Sequence, residues 1–228
     1  MYSTIVFDCD GVIFDSNRIK TFAFKEAAAP YGEEAAFALV QHHVANGGVS
    51  RYRKFEYFLA EIVPALTSVG TNITDAGQST LGLAALLETY SELVYQGLRK
   101  CSIAEGLGTL RASMPQARWM VASGGDQVEL REVFAERGIA DWFNGGIFGS
   151  PASKHEIVAN ECRRGCVRHP AVYFGDSRID HEVAIANHLD FVFVSGWTEM
   201  PEWQVYAKAR NLKVVDSITD FFQTTYSG

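Results

Sequence analysis

The stretch Ile5-Val6-Phe7-Asp8-Cys9-Asp10-Gly11-Val12-Ile13-Phe14-Asp15-Ser16 decides the fold. Three apolar residues run up to two aspartates and a glycine, the pattern of a short buried strand closed by a turn. In an open α/β sheet, chemistry gathers beyond the carboxyl ends of the strands. Asp8 and Asp10 are therefore expected at the tip of the first strand, where Gly11 lets the backbone turn sharply. Residues two apart in an extended segment point to the same side, which brings the two carboxylates together. Acids held that close require a cation, a shared proton or another strong electrostatic reason.

Beyond Asp15 the period changes to helical. Ile19, Phe22, Ala23 and residues 26–29 form one apolar face, stopped near Pro30 and Gly32. A second helix is expected around 35–44, ending at Asn46-Gly47-Gly48. Ser50 reads as an N-cap, with Tyr52, Phe55, Phe58, Leu59 and Ile62 at helical spacing up to Pro64. Residues 67–79 read as a loop, and Leu83 to Leu98 carry the longest helical stripe. After Cys101 strands and helices alternate. Strands are expected at 119–122, just after the Phe143-Asn144-Gly145-Gly146 turn, and at 171–174, 191–194 and 213–215; helices separate and follow them. This alternation predicts an α/β fold, a doubly wound parallel sheet. The all-helical stretch interrupts it, giving a core of residues 1–15 and 100–228 and an inserted helical domain of residues 16–99.

Bulk properties narrow the partners. The chain has 228 residues, a hydrophobic fraction of 47% and a net charge of -7. That balance argues against nucleic acid or an anionic membrane surface as partner, though not against a small anion neutralised locally by a metal ion. No apolar run approaches the roughly 18 residues needed to span a bilayer. Met1-Tyr2-Ser3-Thr4 leads straight into the first strand without a signal-peptide pattern, so a cytoplasmic protein is expected, monomer or homodimer. Cys9, Cys101, Cys162 and Cys166 form no C-x-x-C pair and read as reduced thiols.

Reactive residues recur at strand ends. Asp8 and Asp10 follow the first strand and Ser123 the second. Lys154 opens the helix after the third, and Asp176 with Asp180 follows the fourth. In a parallel sheet these tips share one edge. Such a set suits a hard cation such as Mg²⁺, bound by carboxylates and phosphate oxygens. The lysine, the hydroxyl and free backbone amides would offset charge on a transferring phosphoryl group. One aspartate could attack as nucleophile and the other serve as acid and then base.

With these residues in place, the chain resembles the haloacid dehalogenase (HAD) superfamily, in its subgroup of phosphatases with a helical cap. Asp8-Cys9-Asp10-Gly11-Val12 is similar to the first family motif, Val121-Ala122-Ser123 to the second and Lys154 to the third. Gly175-Asp176-Ser177-Arg178-Ile179-Asp180 is similar to the fourth. The resemblance implies a Rossmann-like core, a mobile cap and Mg²⁺ as cofactor. It makes Asp8 nucleophile and metal ligand, Asp10 acid/base and, through its backbone carbonyl, a second metal ligand, and Asp176 a third. Ser123, Gly124 and Lys154 would hold the phosphate, and Asp180 would orient the metal site from behind. Asn46-Gly47-Gly48-Val49-Ser50-Arg51 resembles the cap specificity loop of β-phosphoglucomutase-like members, making Arg51 a candidate reader of a substrate anion.

The implied activity is Mg²⁺-dependent hydrolysis of a small phosphorylated metabolite, a sugar phosphate or a phosphoglycolate-like acid, through an aspartyl-phosphate. A phosphomutase is the first alternative and a regulatory binding protein without turnover the second. Dehalogenation is disfavoured because that chemistry dispenses with the second acid, and Asp10 is present. Asp15 and Asp126 read as turn or cap residues, and His42 and His43 as surface residues of the helical domain.

Overall fold

The structure, a computed structural model, describes residues 2–68 and 82–226. Six strands form one parallel sheet: β1 (Thr4–Phe7), β2 (Arg118–Asp126), β3 (Gly146–Ser150), β4 (Ala171–Gly175), β5 (Asp190–Val194) and β6 (Lys213–Val215). Their order is β3-β2-β1-β4-β5-β6, so the chain reverses its direction of travel between β1 and β4. Open parallel sheets bind ligands at such a reversal, beyond the carboxyl ends. Phe7 lies beside Val121 on one side and Phe174 on the other, which sets Asp8 between the ends of β2 and β4.

Alternation along the strands divides the core. Ile5, Phe7, Trp119, Val121, Val172 and Phe174 face one layer, with Leu130, Val133, Phe134, Ile218 and Phe221 packed against them. Val6, Met120, Ala122 and Tyr173 face the other, against Ile157, Val158, Val183 and Ala184. The helices supplying these contacts are α6 (Leu107–Ser113), α7 (Gln127–Glu136), α8 (Lys154–Arg163), α9 (Arg178–Ala186) and, after α10 (Trp203–Ala209), which stacks Trp203 on Phe193 of β5, α11 (Ile218–Tyr226). The sequence pattern did not reveal α10, a seven-residue helix with only Tyr206 and Ala207 buried. So short a stripe carries no readable period.

Between β1 and β2 the described residues supply a further set of helices: α1 (Asn17–Ala28), α2 (Glu33–Ala45), α3 (Arg51–Tyr57), α4 (Val63–Ser68) and α5 (Leu83–Leu98). Phe24, Phe55, Phe58 and Tyr90 are buried at its centre. Phe24 packs 5.0 Å from Phe55 and 4.4 Å from Tyr90, centroid to centroid. The helices depart from the expected pattern at two points. A wide π-helical turn (Phe58–Ile62) joins α3 to α4, so the helix passes Pro64 rather than stopping there. Thr67 and Ser68, expected in a loop, belong to α4; residues 69–79 of that expected loop lie outside the described residues. No helix among the described residues is long and apolar enough to cross a membrane.

Candidate active site

Asp8 sits immediately past β1, 3% exposed. Its backbone N–H donates to the Phe174 carbonyl (2.9 Å), tying it to β4. Its Oδ1 accepts the Cys9 N–H (2.6 Å) and its Oδ2 meets Lys154 Nζ at 2.7 Å. Lys154, the first residue of α8, extends from a helix start built by a Ser153–Glu156 capping box. The same ammonium reaches Asp180 Oδ1 at 2.7 Å, and Tyr173 Oη donates to that oxygen as well (2.9 Å). Asp180 Oδ2 accepts from Ser177 Oγ (2.6 Å) in a second capping box at the start of α9. Asp180, fully buried, is thus the post that holds Lys154 against Asp8.

Asp176 follows β4. Asn17 Nδ2 donates to its Oδ2 (2.6 Å) and to the Trp197 carbonyl (3.0 Å). Gly11 lies beneath with φ +75°, and a Cβ there would overlap Asp176 Oδ2 and Asn17 Nδ2. Both the turn and the close approach require glycine. Carboxylate oxygens of Asp8, Asp176 and Asp180 all lie within 4.8 Å of one another, with one ammonium among them. Burial, followed by the Asp180 charge, pushes the Asp8 carboxyl up to about 7. Burial and the Asp8 charge push Asp176 well above the usual carboxylate range. The cluster is short of positive charge, and its donors are all oxygen, which fits a hard divalent cation.

Asp10 stands apart from this cluster, contrary to the expected pairing of its side chain with that of Asp8. β1 ends at Phe7, so Asp10 lies in the turn, where the two-residue repeat of an extended strand no longer holds. Its Oδ1 accepts from Ser16 Oγ (2.6 Å), and its Oδ2 pairs with Lys20 of α1. Burial pushes the Asp10 carboxyl up, but Lys20 and Ser16 more than offset this and hold it below its ordinary value. The two acids are therefore pushed in opposite directions.

Over these tips lies a cavity of about 560 Å³. Asp8, Asp10, Lys154, Asp176, Gly124 and Gly125 line its sheet side; Lys20, Phe24, His43, Lys54 and Tyr90 line its helical side. Ser123 is fully buried, its Oγ accepting the Gly125 N–H (3.0 Å) at the bend where the β2–β3 register shifts. Gly124 packs so tightly that a Cβ would stand 2.5 Å from the Gly48 carbonyl oxygen. The loop after α2 thus rests directly on the strand ends.

Arg51 also lines the cavity, at the start of α3 behind its Ser50 N-cap. Its guanidinium is taken up by Glu129 of α7 (2.7 Å) and Ser91 (2.8 Å), with Asp126 3.8 Å away. Asp126 caps α7, accepting from the Val128 and Glu129 N–H groups. His43 is not the surface residue expected. Its ring packs at a tilt against Phe24 (centroids 4.4 Å apart) and its Nδ1 accepts from Lys54 Nζ (2.8 Å). Burial and the Lys54 charge hold it well below its ordinary value, hence neutral.

Asn17, Lys20, Lys54 and Ser177 were not identified from sequence. A signal existed for both lysines. Lys20 shares a helical face with Ala23, Phe24 and Ala27, and Lys54 shares one with Phe55 and Phe58. A charged residue on an apolar stripe is either paired or functional.

The sequence profile of the haloacid dehalogenase-like hydrolase family matches residues 2–188. No curated protein matches in sequence. Among solved structures, a predicted phosphatase from Clostridium acetobutylicum is 17% identical, with TM-score 0.70 and all of both chains covered. CbbY from Rhodobacter sphaeroides, solved with phosphate, is 17% identical with TM-score 0.69 over 95% of each chain. The magnesium-bound orthorhombic form of YfnB from Bacillus subtilis is 15% identical, with TM-score 0.64 over 98% of each. At these identities the likeness is one of fold.

Proposed function

The chain belongs to the haloacid dehalogenase-like hydrolases, and from that membership we propose a Mg²⁺-dependent phosphatase for small phosphorylated metabolites. The observation that carries the reading is the separation of the two aspartates. Asp8 is held by Lys154 inside a cation-poor acidic cluster, whereas Asp10 is held by Lys20 and Ser16 outside it. Two acids in opposed environments are suited to two roles.

Mg²⁺ held by Asp8, Asp176 and the Asp10 carbonyl would neutralise charge on the transferring phosphoryl group. The remaining work falls to the chain. An Asp8 carboxylate oxygen attacks phosphorus, the bond to the leaving oxygen breaks, and Asp10 delivers the proton that this oxygen takes up. Asp10, now a carboxylate, removes a proton from water; that water attacks phosphorus and frees Asp8 with inorganic phosphate. The Lys20 pair favours the carboxylate of Asp10, the form the second step uses. For the first step Asp10 must carry a proton against that pull, and a divalent cation at Asp8 would favour the Asp8 carboxylate that attacks. Lys154 bridges Asp8 and, through it, the phosphoryl oxygens, while Asp180 keeps its ammonium in place. Gly124 and Gly125 offer backbone at the strand end, and the helices 16–99 act as a cap that excludes water during transfer.

The solved complexes of CbbY with phosphate and YfnB with magnesium, on the same fold, support this reading. The test is phosphate release from a panel of phosphorylated metabolites, with Mg²⁺ and with chelator, by wild type and Asp8→Asn. Mg²⁺-dependent release lost in the variant is expected. Isomerised product without phosphate release would instead favour a phosphomutase.

A further inference from the structure

Four cations are buried among the described residues: Lys20, Arg51, Lys54 and Lys154. Three have a carboxylate within ion-pair distance: Lys20 has Asp10, Arg51 has Glu129, and Lys154 has Asp8 and Asp180. Lys54 has none among the described residues. It is 2% exposed, and its Nζ contacts only neutral groups: His43 Nδ1 (2.8 Å), the His43 carbonyl (3.4 Å) and, at 5.4 Å, the face of Phe24. An ammonium buried without a counter-ion is costly, and a leucine or methionine would serve the stripe better.

Its position explains why the fold keeps it. Lys54 lines the cavity that holds Asp8 and Asp10, on the helical wall facing the strand ends. Resting on the phosphatase reading above, we propose that Lys54 is the counter-ion for a second anionic group, carboxylate or phosphate, on the leaving-group portion of the substrate. The substrates are then small doubly anionic phosphomonoesters rather than esters of neutral alcohols. Arg51 is a poorer candidate for this task, because Glu129 and Ser91 already engage both of its terminal nitrogens and its remaining Nε is buried. The groups acting on Lys54 come from every side: His43 from α2, Lys20 from α1, and Asp10 and Lys154 from the strand ends. Burial first, then Lys20, pushes the Lys54 amine down to about 7. An arriving anion would restore its charge, as a resident carboxylate would have done.

The test uses trios of alkyl phosphates of two, three and four carbons whose far end is a carboxylate, a phosphate or a hydroxyl. Affinity is measured calorimetrically with Mg²⁺ on Asp8→Asn, which keeps the cavity without turnover, and on Asp8→Asn/Lys54→Met. In the single variant at least one anion-ended ester should bind about 10–100-fold more tightly than its hydroxyl-ended partner. Whether carboxylate or phosphate gives the larger ratio identifies the anion. Lys54→Met should bring that ratio near unity, and Lys54→Gln, which retains a hydrogen bond to His43 without charge, should do the same. Without ligand, Lys54→Met should melt higher than wild type, since it removes an uncompensated buried charge. No preference, a preference that survives both substitutions, or a lower melting point overturns the proposal. Failure of wild type to release phosphate from any ester would overturn the phosphatase reading alone, because the binding ratio does not depend on turnover.

Discussion

The two walls of the cavity solve opposite electrostatic problems. On the sheet wall three carboxylates crowd one ammonium, and the surplus is negative. On the helical wall Lys20 is paired with Asp10 and Arg51 with Glu129, whereas Lys54 meets only neutral groups and is left without a carboxylate partner among the described residues. Each wall lacks what a divalent cation and a doubly charged anion would bring. A metal ion balances the first, and the far end of a substrate balances the second. Folding such unbalanced sites costs stability, and ligands return it on binding.

The largest test of this contrast removes the nucleophile. Asp8→Asn is expected to lower phosphate release by at least about 10⁴-fold while the protein remains folded, since it takes charge from a strand tip and leaves volume unchanged. Turnover within tenfold of wild type, in a preparation free of other phosphatases, would end the covalent mechanism. Next comes the second acid. Asp10→Asn should cost about 10²–10⁴-fold on alkyl phosphates and distinctly less on nitrophenyl phosphate, whose leaving group needs no proton. Equal losses on both would remove Asp10 from the protonation of the leaving oxygen.

Metal binding probes the negative wall directly. Asp8 has a folded value near 7, raised above that of the unfolded chain, so its contribution is full at low pH and lost as pH rises through 7. Mg²⁺ needs the ionised carboxylates, so its stabilising effect must grow over the same interval. The Mg²⁺-induced rise in melting temperature should therefore be larger at pH 8 than at pH 5.5. Saturation at about a hundred times Kd corresponds to about 2.7 kcal/mol. A rise independent of pH would show that the cation binds elsewhere.

The smallest effect concerns Arg51. If it braces α3 against α7 through Glu129, Arg51→Ala should weaken turnover of anion-ended and hydroxyl-ended esters alike. Stability should fall by about 1–3 kcal/mol, because Glu129 loses its partner. A loss confined to anion-ended esters would make Arg51 the anion reader in place of Lys54. Measuring kcat/KM on the matched esters decides between them.

The difference between the walls also explains what could be read from the chain. The sheet wall is written in local code: Asp-x-Asp-Gly after an apolar run, Ser-Gly-Gly after a second, Gly-Asp-Ser-x-x-Asp after another. Each motif joins a strand period to a turn residue, so Asp8, Asp10, Ser123, Lys154, Asp176 and Asp180 could all be placed at element ends from spacing. The helical wall is written in tertiary code. Lys20, His43 and Lys54 come from three helices, and although both lysines fall on apolar stripes, nothing local says which group each one faces. Even the stripe on α3 was read from Tyr52, Phe55 and Phe58, whereas the buried face runs through Arg51, Lys54, Phe55 and Phe58. Within the sheet wall, the direction of the Asp10 carboxylate escaped for a similar reason, since Lys20 and Ser16 decide it.

The contact between Gly48 and Gly124 has a consequence for how this protein can change. The two walls meet there backbone to backbone, with no room for a single methyl group at position 124. A joint of that kind cannot be tuned by degrees: any side chain wedges it apart, and glycine is already the smallest residue. New substrate ranges must therefore arise along the helical wall, at Phe24, His43, Lys54, Tyr90 and Val94, where side chains can grow or shrink without touching the seam. The seam would stay constant while those neighbours vary, like a hinge pin in a door whose panels are replaced.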